Sequence, residues 1–270
     1  MVDMFALGHT FQLATAVFRR PPMARLIEVR LTCMAAMKAL LLRVGIDKGC
    51  GGTLSPIFDD GSFEFVPIPE SFPAPGSATY NDRIGRKGKR LSAYVPSSIK
   101  NAPMHEDPEF LTCTYGDPTL KRYYLLKLVK GDLLVFYAGL QPFAAAKYDE
   151  ALYVIGYFDV DNVTEFNKLS EAELAESLQR YKHNAHVKRR TSLRDLVVVA
   201  GAGNSRLLDK AILISHKKPD RRGRPMHALS PEMEALLGIS GFIQRSIPPR
   251  FVAEQQNVRN LMALLASPRL

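Results

Sequence analysis

Apolar and polar positions alternate between two periods along this chain. Ala39 to Val44 is a short, nearly continuous apolar run and reads as a buried strand, while Phe63 to Ile68 alternates and reads as an edge strand stopped by Pro67 and Pro69. Leu133 to Tyr137, Leu152 to Val160 and Leu196 to Ala200 are further β segments, the first preceded by a Gly131-Asp132 turn and separated from the second by a loop at 138–150. Tyr123 to Val129 suits helix or strand. Ser170-x-x-Glu173 is a capping box opening a helix to about Tyr181, with Leu174, Leu178 and Tyr181 on one stripe. Ser230-Pro231 starts a short helix ending near Gly238, Gln244 to Arg250 is a proline-containing turn, and 252–265 reads as a terminal helix. Residues 71–108 and 215–228 read as loops, the first long and ordered, the second basic and polar. Strands and helices mix without a regular βαβ alternation, which predicts an α+β fold built on a mixed sheet.

Composition narrows the class. The 270 residues are 46% hydrophobic and 23% charged, ordinary for a globular chain. No apolar run nears the ~20 residues of a membrane-spanning helix. Three cysteines without a CxxC pair argue against a disulfide framework and a structural zinc site, and fit a reducing cytoplasm. Phe5 to Phe18 is mildly apolar, but Arg19 and Arg20 follow it, whereas a secretory signal carries its positive charge in front. Residues 1–36 are therefore read as a peripheral extension, with Met37 the effective start of one domain over 37–270.

Net charge is +9, yet residues 180–225 alone carry 13 Lys or Arg against 3 Asp, leaving the rest near neutral. A phosphate-bearing partner is the commonest reason for such a block; a solvated surface is the alternative. Within it, His183 and His186 stand three residues apart near a helix end, beside Lys188, Arg189 and Arg190. Gly201-x-Gly203 follows a strand, but Arg206 occupies the third glycine position of a dinucleotide loop, so the segment is a turn, with or without Arg206 facing phosphate.

Candidate chemistry is diffuse. Asp47 follows the apolar run and opens a glycine cluster (Gly49, Gly51, Gly52), where it either caps the turn or serves as acid, base or ligand. His105-Glu106-Asp107 and Asp117 can supply a general base or part of a carboxylate–imidazole metal site, or simply stabilise their loops; their spacing matches no metal motif. Gln244, Arg245 and Arg250 flank Pro248-Pro249 and suit phosphate or base-edge contact, or a plain reversal. No Walker, GxSxG or HExxH pattern occurs, and no cofactor is indicated.

Taken in order, Leu42-Arg43-Val44-Gly45-Ile46-Asp47, Pro56-Ile57-Phe58, Asp60 to Glu64, Pro67-Ile68-Pro69, His105 to Phe110, Thr114 to Asp117, Lys130 to Leu140, Asn184-Ala185-His186 and Gln244 to Arg250 resemble the nucleotide-modification-associated domain 3 family of archaea, bacteria and phages, over roughly 38–250. The resemblance implies an association with modified bases in DNA or RNA without naming a reaction. Gly131-Asp132, Val135-Phe136-Tyr137 and Val154 to Tyr157 further resemble PUA-like and EVE-type modules, which implies a partly closed β-barrel with flanking helices. A base-modifying protein would need walls around an extruded base, for which Tyr115, Phe136 and Tyr137 are candidates; acid–base groups, for which Asp47, His105, Asp107 and Asp117 are candidates; and phosphate contacts, for which His186, Lys188, Arg189, Arg190, Arg206, Gln244, Arg245 and Arg250 are candidates. A reader of modified bases that does no chemistry, and an enzyme acting on free nucleotides, are the alternatives.

Overall fold

Leu40, Leu41 and Leu42 are each at most 1% exposed, which explains why their strand reads as an unbroken apolar run. A strand covered on both faces has no solvent side to make polar. The computed structural model describes residues 36–144 and 147–267; the expected extension, apart from Ala36, lies outside them. Among the described residues, β1 (Ala39–Arg43), β2 (Ser55–Ile57), β5 (Thr114–Asp117), β6 (Leu133–Pro142), β7 (Ala151–Glu165), β8 (Val197–Gly201), β9 (Arg206–Leu213) and β12 (Arg250–Val252) form one mixed sheet, and β3 (Ile68–Pro69) with β4 (Met104–His105), and β10 (Ser215–Pro219) with β11 (Pro225–Leu229), form two-stranded ribbons.

The sheet runs β12-β1-β6-β7-β8-β5. β6 is lined on one edge by β1 and then β2, both parallel to it, and on the other by antiparallel β7. β7 pairs with β9 through its first half and with β8 through its second. The expected partly closed barrel does not form: β12 and β5 end an open path, and among the described residues no closed barrel is found. The likeness in the β6–β7 hairpin is local, and the parallel additions of β1 and β2 take the sheet elsewhere.

Period-two geometry divides the core. In β8, Val197 and Val199 join the main cluster, while Val198, Ala200 and neighbouring Leu196 join a smaller one with Phe166, Tyr181 and Val187. Helices α1 (Arg122–Leu125), α2 (Glu171–Arg180), α3 (Ala185–Arg189), α4 (Pro231–Leu237) and α5 (Gln255–Ala266) flank the sheet. Val258, Leu261 and Leu265, on one stripe of α5, bury against the main core. None of these helices is long and apolar enough to cross a membrane.

Two segments differ from the sequence reading, and a third is ordered as read. Phe63 to Val66 forms no strand: Phe63 makes one isolated bridge to Ile57, and pairing begins at Ile68, next to Pro69 on an edge that tolerates proline. The 71–108 loop carries its own buried cluster, including Tyr80, Leu91 and Tyr94. The 215–228 segment is a hairpin, with Ser215 opposite Leu229, rather than an irregular loop; its exposed charge hides the strand period.

The capping box is formed as read. Ser170 accepts from the Glu173 N–H, and Glu173 Oε2 accepts from the Ser170 N–H at 2.8 Å. Ser170→Ala is expected to lower stability by about 1 kcal/mol, and Ser170→Gly by only a few tenths, in urea denaturation.

Candidate functional site

The carboxyl end of β1, the β3–β4 ribbon, β5 and α3 converge on a cavity of about 260 Å³ lined by Arg43, Glu70, His105, Asp107, Tyr115, Asp117, Lys121, His186, Arg189 and Arg245. Four of the elements bring these groups in by direct pairing or packing. Ile68 stands opposite His105 in the ribbon, which carries Glu70 alongside the imidazole. β5 is held by β8, and α3 packs onto β5. Gly116 permits that approach: a Cβ there would lie 2.9 Å from Asn184 Oδ1 and 3.1 Å from the His186 ring.

A hydrogen-bonded chain runs through the wall. Glu70 Oε2 accepts from His105 Nδ1 at 2.6 Å, and Glu70 Oε1 faces Arg189 at 3.4 Å. Arg189 donates to His186 Nδ1 at 2.8 Å. A guanidinium only donates, so a neutral His186 carries its proton on Nε2, which faces Asp107 Oδ2 at 3.3 Å. Asp107 accepts further from the Gly116 N–H at 3.1 Å and from Asn184 Nδ2 at 3.3 Å. Asn184, fully buried, also caps α3 by accepting from the His186 N–H at 3.0 Å. Asp117 accepts from the Thr119 N–H at 2.7 Å and from Tyr115 Oη at 3.2 Å. A buried carboxylate is tolerated when donors fill it this way.

His105, Asp107 and His186 can each offer an atom within 4.8 Å of the others, the spacing of a metal site. The chain around them suits proton relay better. His186 presents an N–H rather than a lone pair to the centre, and Asp107 is occupied by three donors. His105 differs: with Nδ1–H held by Glu70, its Nε2 keeps its lone pair.

Electrostatics tune the same wall. Burial pushes the Glu70 carboxyl up, but the His105 hydrogen bond, the Phe72 N–H and the Arg189 charge outweigh it and bring it down to about 2. Burial, then the Arg245 charge, draw the Arg43 guanidinium down to about 10. Burial lowers Lys121, opposed by Asp117 and assisted by Arg245 and Arg43. Burial and the Asp117 and Asp107 charges hold the Tyr115 phenol protonated, well above its ordinary range. Because Glu70 titrates below its unfolded value of 4.5, it stabilises the fold fully above 4.5 and loses that contribution as pH falls toward about 2. Glu70→Gln is therefore expected to be less stable than the parent at neutral pH, with the gap closing through that acid window in pH-dependent denaturation.

The other expected site residues separate. Asp47 stands next door: Oδ1 accepts from the Gly49 N–H at 3.0 Å, capping its turn, and Oδ2 pairs with Arg245. With Lys48, Gln244, His227, Arg43 and Arg245 it lines a second cavity of about 400 Å³, so Arg43 and Arg245 border both spaces. Phe136 and Tyr137 do not wall either cavity. Phe136 is fully buried against Phe110 and Phe158, and the Tyr137 hydroxyl donates to the Ile243 carbonyl at 2.8 Å. Only Tyr115 of that trio reaches the site. Arg206 anchors the terminal helix, donating to the Leu265 carbonyl at 3.1 Å; Arg250 donates to the Ser240 carbonyl at 3.0 Å; Lys188 contacts Glu106 at 3.5 Å; Arg190 is exposed at the end of α3.

Three residues of the cavity, Arg43, Glu70 and Lys121, and the α3 cap Asn184 were not singled out from the sequence as site residues. Arg43 carried a signal, a charge inside an otherwise apolar strand. Glu70 closes the Pro67-Ile68-Pro69 segment and Asn184 precedes His186, whereas Lys121 carried no signal in a polar turn.

The family model described as nucleotide modification associated domain 3 matches residues 38–235. No curated protein and no solved structure matches the chain.

Proposed function

The chain belongs to the nucleotide modification associated domain 3 family, and from that membership we propose that it modifies a nucleotide base by acid–base catalysis in the 260 Å³ cavity. The observation that carries this reading is the convergence of His105, Asp107, Asp117, His186 and Lys121 on one concavity. The cavity is below the ~300–1,000 Å³ of pockets for drug-sized ligands, which suits one base rather than a larger group. His105 Nε2 is the general base, its tautomer set by ionised Glu70. Lys121, bordering the same cavity, supplies positive charge at its wall. Tyr115 supplies the aromatic wall.

The partner is a nucleic acid or its nucleotides. The alternative of a passive reader has less support, because Arg189 is turned inward onto Glu70 and His186 and Lys188 is engaged by Glu106. The test is incubation of purified protein with bulk tRNA, genomic DNA and a free nucleotide pool, across added cofactors and metals, followed by nucleoside mass spectrometry. A new nucleoside species is expected in one substrate class. Unchanged profiles in all three would remove the catalytic reading.

A further inference from the structure

Among the described residues, the carboxylates that line the cavity are all hydrogen-bonded within the protein, while two of its cations form no ion pair. Each carboxylate is filled from within the protein: Glu70 by His105 and Arg189, Asp107 by Gly116 and Asn184, Asp117 by Thr119 and Tyr115, and neighbouring Asp47 by Gly49 and Arg245. Two of the cations, Arg43 and Lys121, are not. Arg43 is 6% exposed and, among the described residues, forms no ion pair; its one side-chain hydrogen bond goes to the adjacent Val44 carbonyl. Lys121 likewise has no ion pair or side-chain hydrogen bond among the described residues, although it borders the cavity with Asp117. A guanidinium offers five N–H donors and an ammonium three, so both side chains keep donors available to an incoming acceptor.

The backbone is shaped around this arginine. A Cβ on Gly139 of β6 would lie 2.7 Å from the Arg43 guanidinium, so the glycine leaves the room in which that charge sits. Arg43, Lys121 and Arg245 stand close enough to repel one another: burial first, and then the neighbouring positive charges, lower the proton affinities of Arg43 and Lys121. An acceptor-rich anion would satisfy the donors and relieve the repulsion together.

We propose that Arg43, Lys121 and Arg245 form a phosphate-binding subsite at the border of the two cavities, which seats the phosphate of the nucleotide whose base faces His105. The inference deepens the proposed function and rests on it for the choice of phosphate over other anions. A planar fork beside a point charge is the arrangement that grips a tetrahedral oxyanion. The phosphate comes from a free nucleotide or from a nucleic-acid backbone, and these sources share the chemistry.

The experiment is isothermal titration calorimetry of the full chain with inorganic phosphate, repeated in competition with adenosine 5′-monophosphate and with a single-stranded oligonucleotide lacking terminal phosphates. Saturable phosphate binding is expected, weakened about ten-fold or more by Lys121→Gln and by Arg43→Gln, and unchanged by Lys218→Gln on the exposed ribbon. If Arg43→Gln fails to fold, Lys121→Gln carries the test. Displacement by the monophosphate assigns a free nucleotide, and displacement by the oligonucleotide assigns a backbone; either supports the subsite. No saturable binding, or equal binding in the parent and Lys121→Gln, overturns it. A new nucleoside species without phosphate binding overturns this inference alone. Phosphate binding lost in Lys121→Gln, with unchanged nucleoside profiles, supports the subsite and removes the catalytic reading.

Discussion

His105→Gln is expected to fold like the parent and to lose turnover by about 10²–10⁴-fold, the usual contribution of a positioned acid–base group. The imidazole is 8% exposed at the cavity wall, and glutamine fills much of its volume while offering no titratable nitrogen. Its role depends on Glu70, which accepts from Nδ1 and stays ionised down to about pH 2. Glu70→Gln should therefore fall between the parent and His105→Gln: the imidazole remains, but the carboxylate that fixes its tautomer is gone. Ligand affinity gives the contrast with a passive reader. In a catalytic site His105→Gln keeps most of its affinity for substrate while losing product formation. Parent-like turnover in His105→Gln would take the imidazole out of the chemistry.

Phe136→Ala is expected to cost about 3–5 kcal/mol of stability, read as a lower denaturant midpoint with an unchanged slope. The ring is fully buried and makes edge contacts with Phe110 and Phe158, at centroid separations of 5.7 Å and 4.7 Å. Removing it leaves a cavity among aromatic rings that cannot all collapse into the space. The same variant tests the aromatic-wall idea. Phe136 touches Tyr115, which does line the site, at 5.6 Å. A wall residue would show its loss in ligand affinity; a core residue shows it in stability, with affinity changed only through Tyr115. Phe136→Leu, which keeps much of the buried volume, should recover a large part of the difference.

Local signals in the chain translated directly into structure where one physical cause decided the outcome. The capping box at Ser170 needs only a hydroxyl and a carboxylate three residues apart, and Gly238 ends α4 at a positive φ of 65° that glycine adopts without a Cβ clash. The apolar runs of β1, β6, β8 and the first half of β7 were legible because burial on both faces removes polar positions. The Phe63 to Val66 segment misled because alternation reports which residues are buried, not whether a partner strand lies beside them. The 215–228 hairpin was hidden for the converse reason: an exposed ribbon has no apolar face to reveal its period.

By itself, then, the sequence determined the mixed α+β class, the strands β1, β6, β7 and β8 and the caps, because these follow from interactions within a few residues or from burial that composition records. It also held most of the chemical groups of the candidate site, His105, Asp107, Asp117, His186, Arg189 and Arg245, in separate segments. Only the tertiary structure decided which of them meet. Pairing of Ile68 with His105 carried Glu70 to the imidazole, Gly116 let α3 bring His186 onto Asp107, and Arg43 turned a buried strand end into a charged wall. Those meetings depend on long-range strand order and close backbone approach. A linear pattern does not encode either, because the contacts join residues far apart in the chain, as with Arg245 and Asp47, 198 positions from one another.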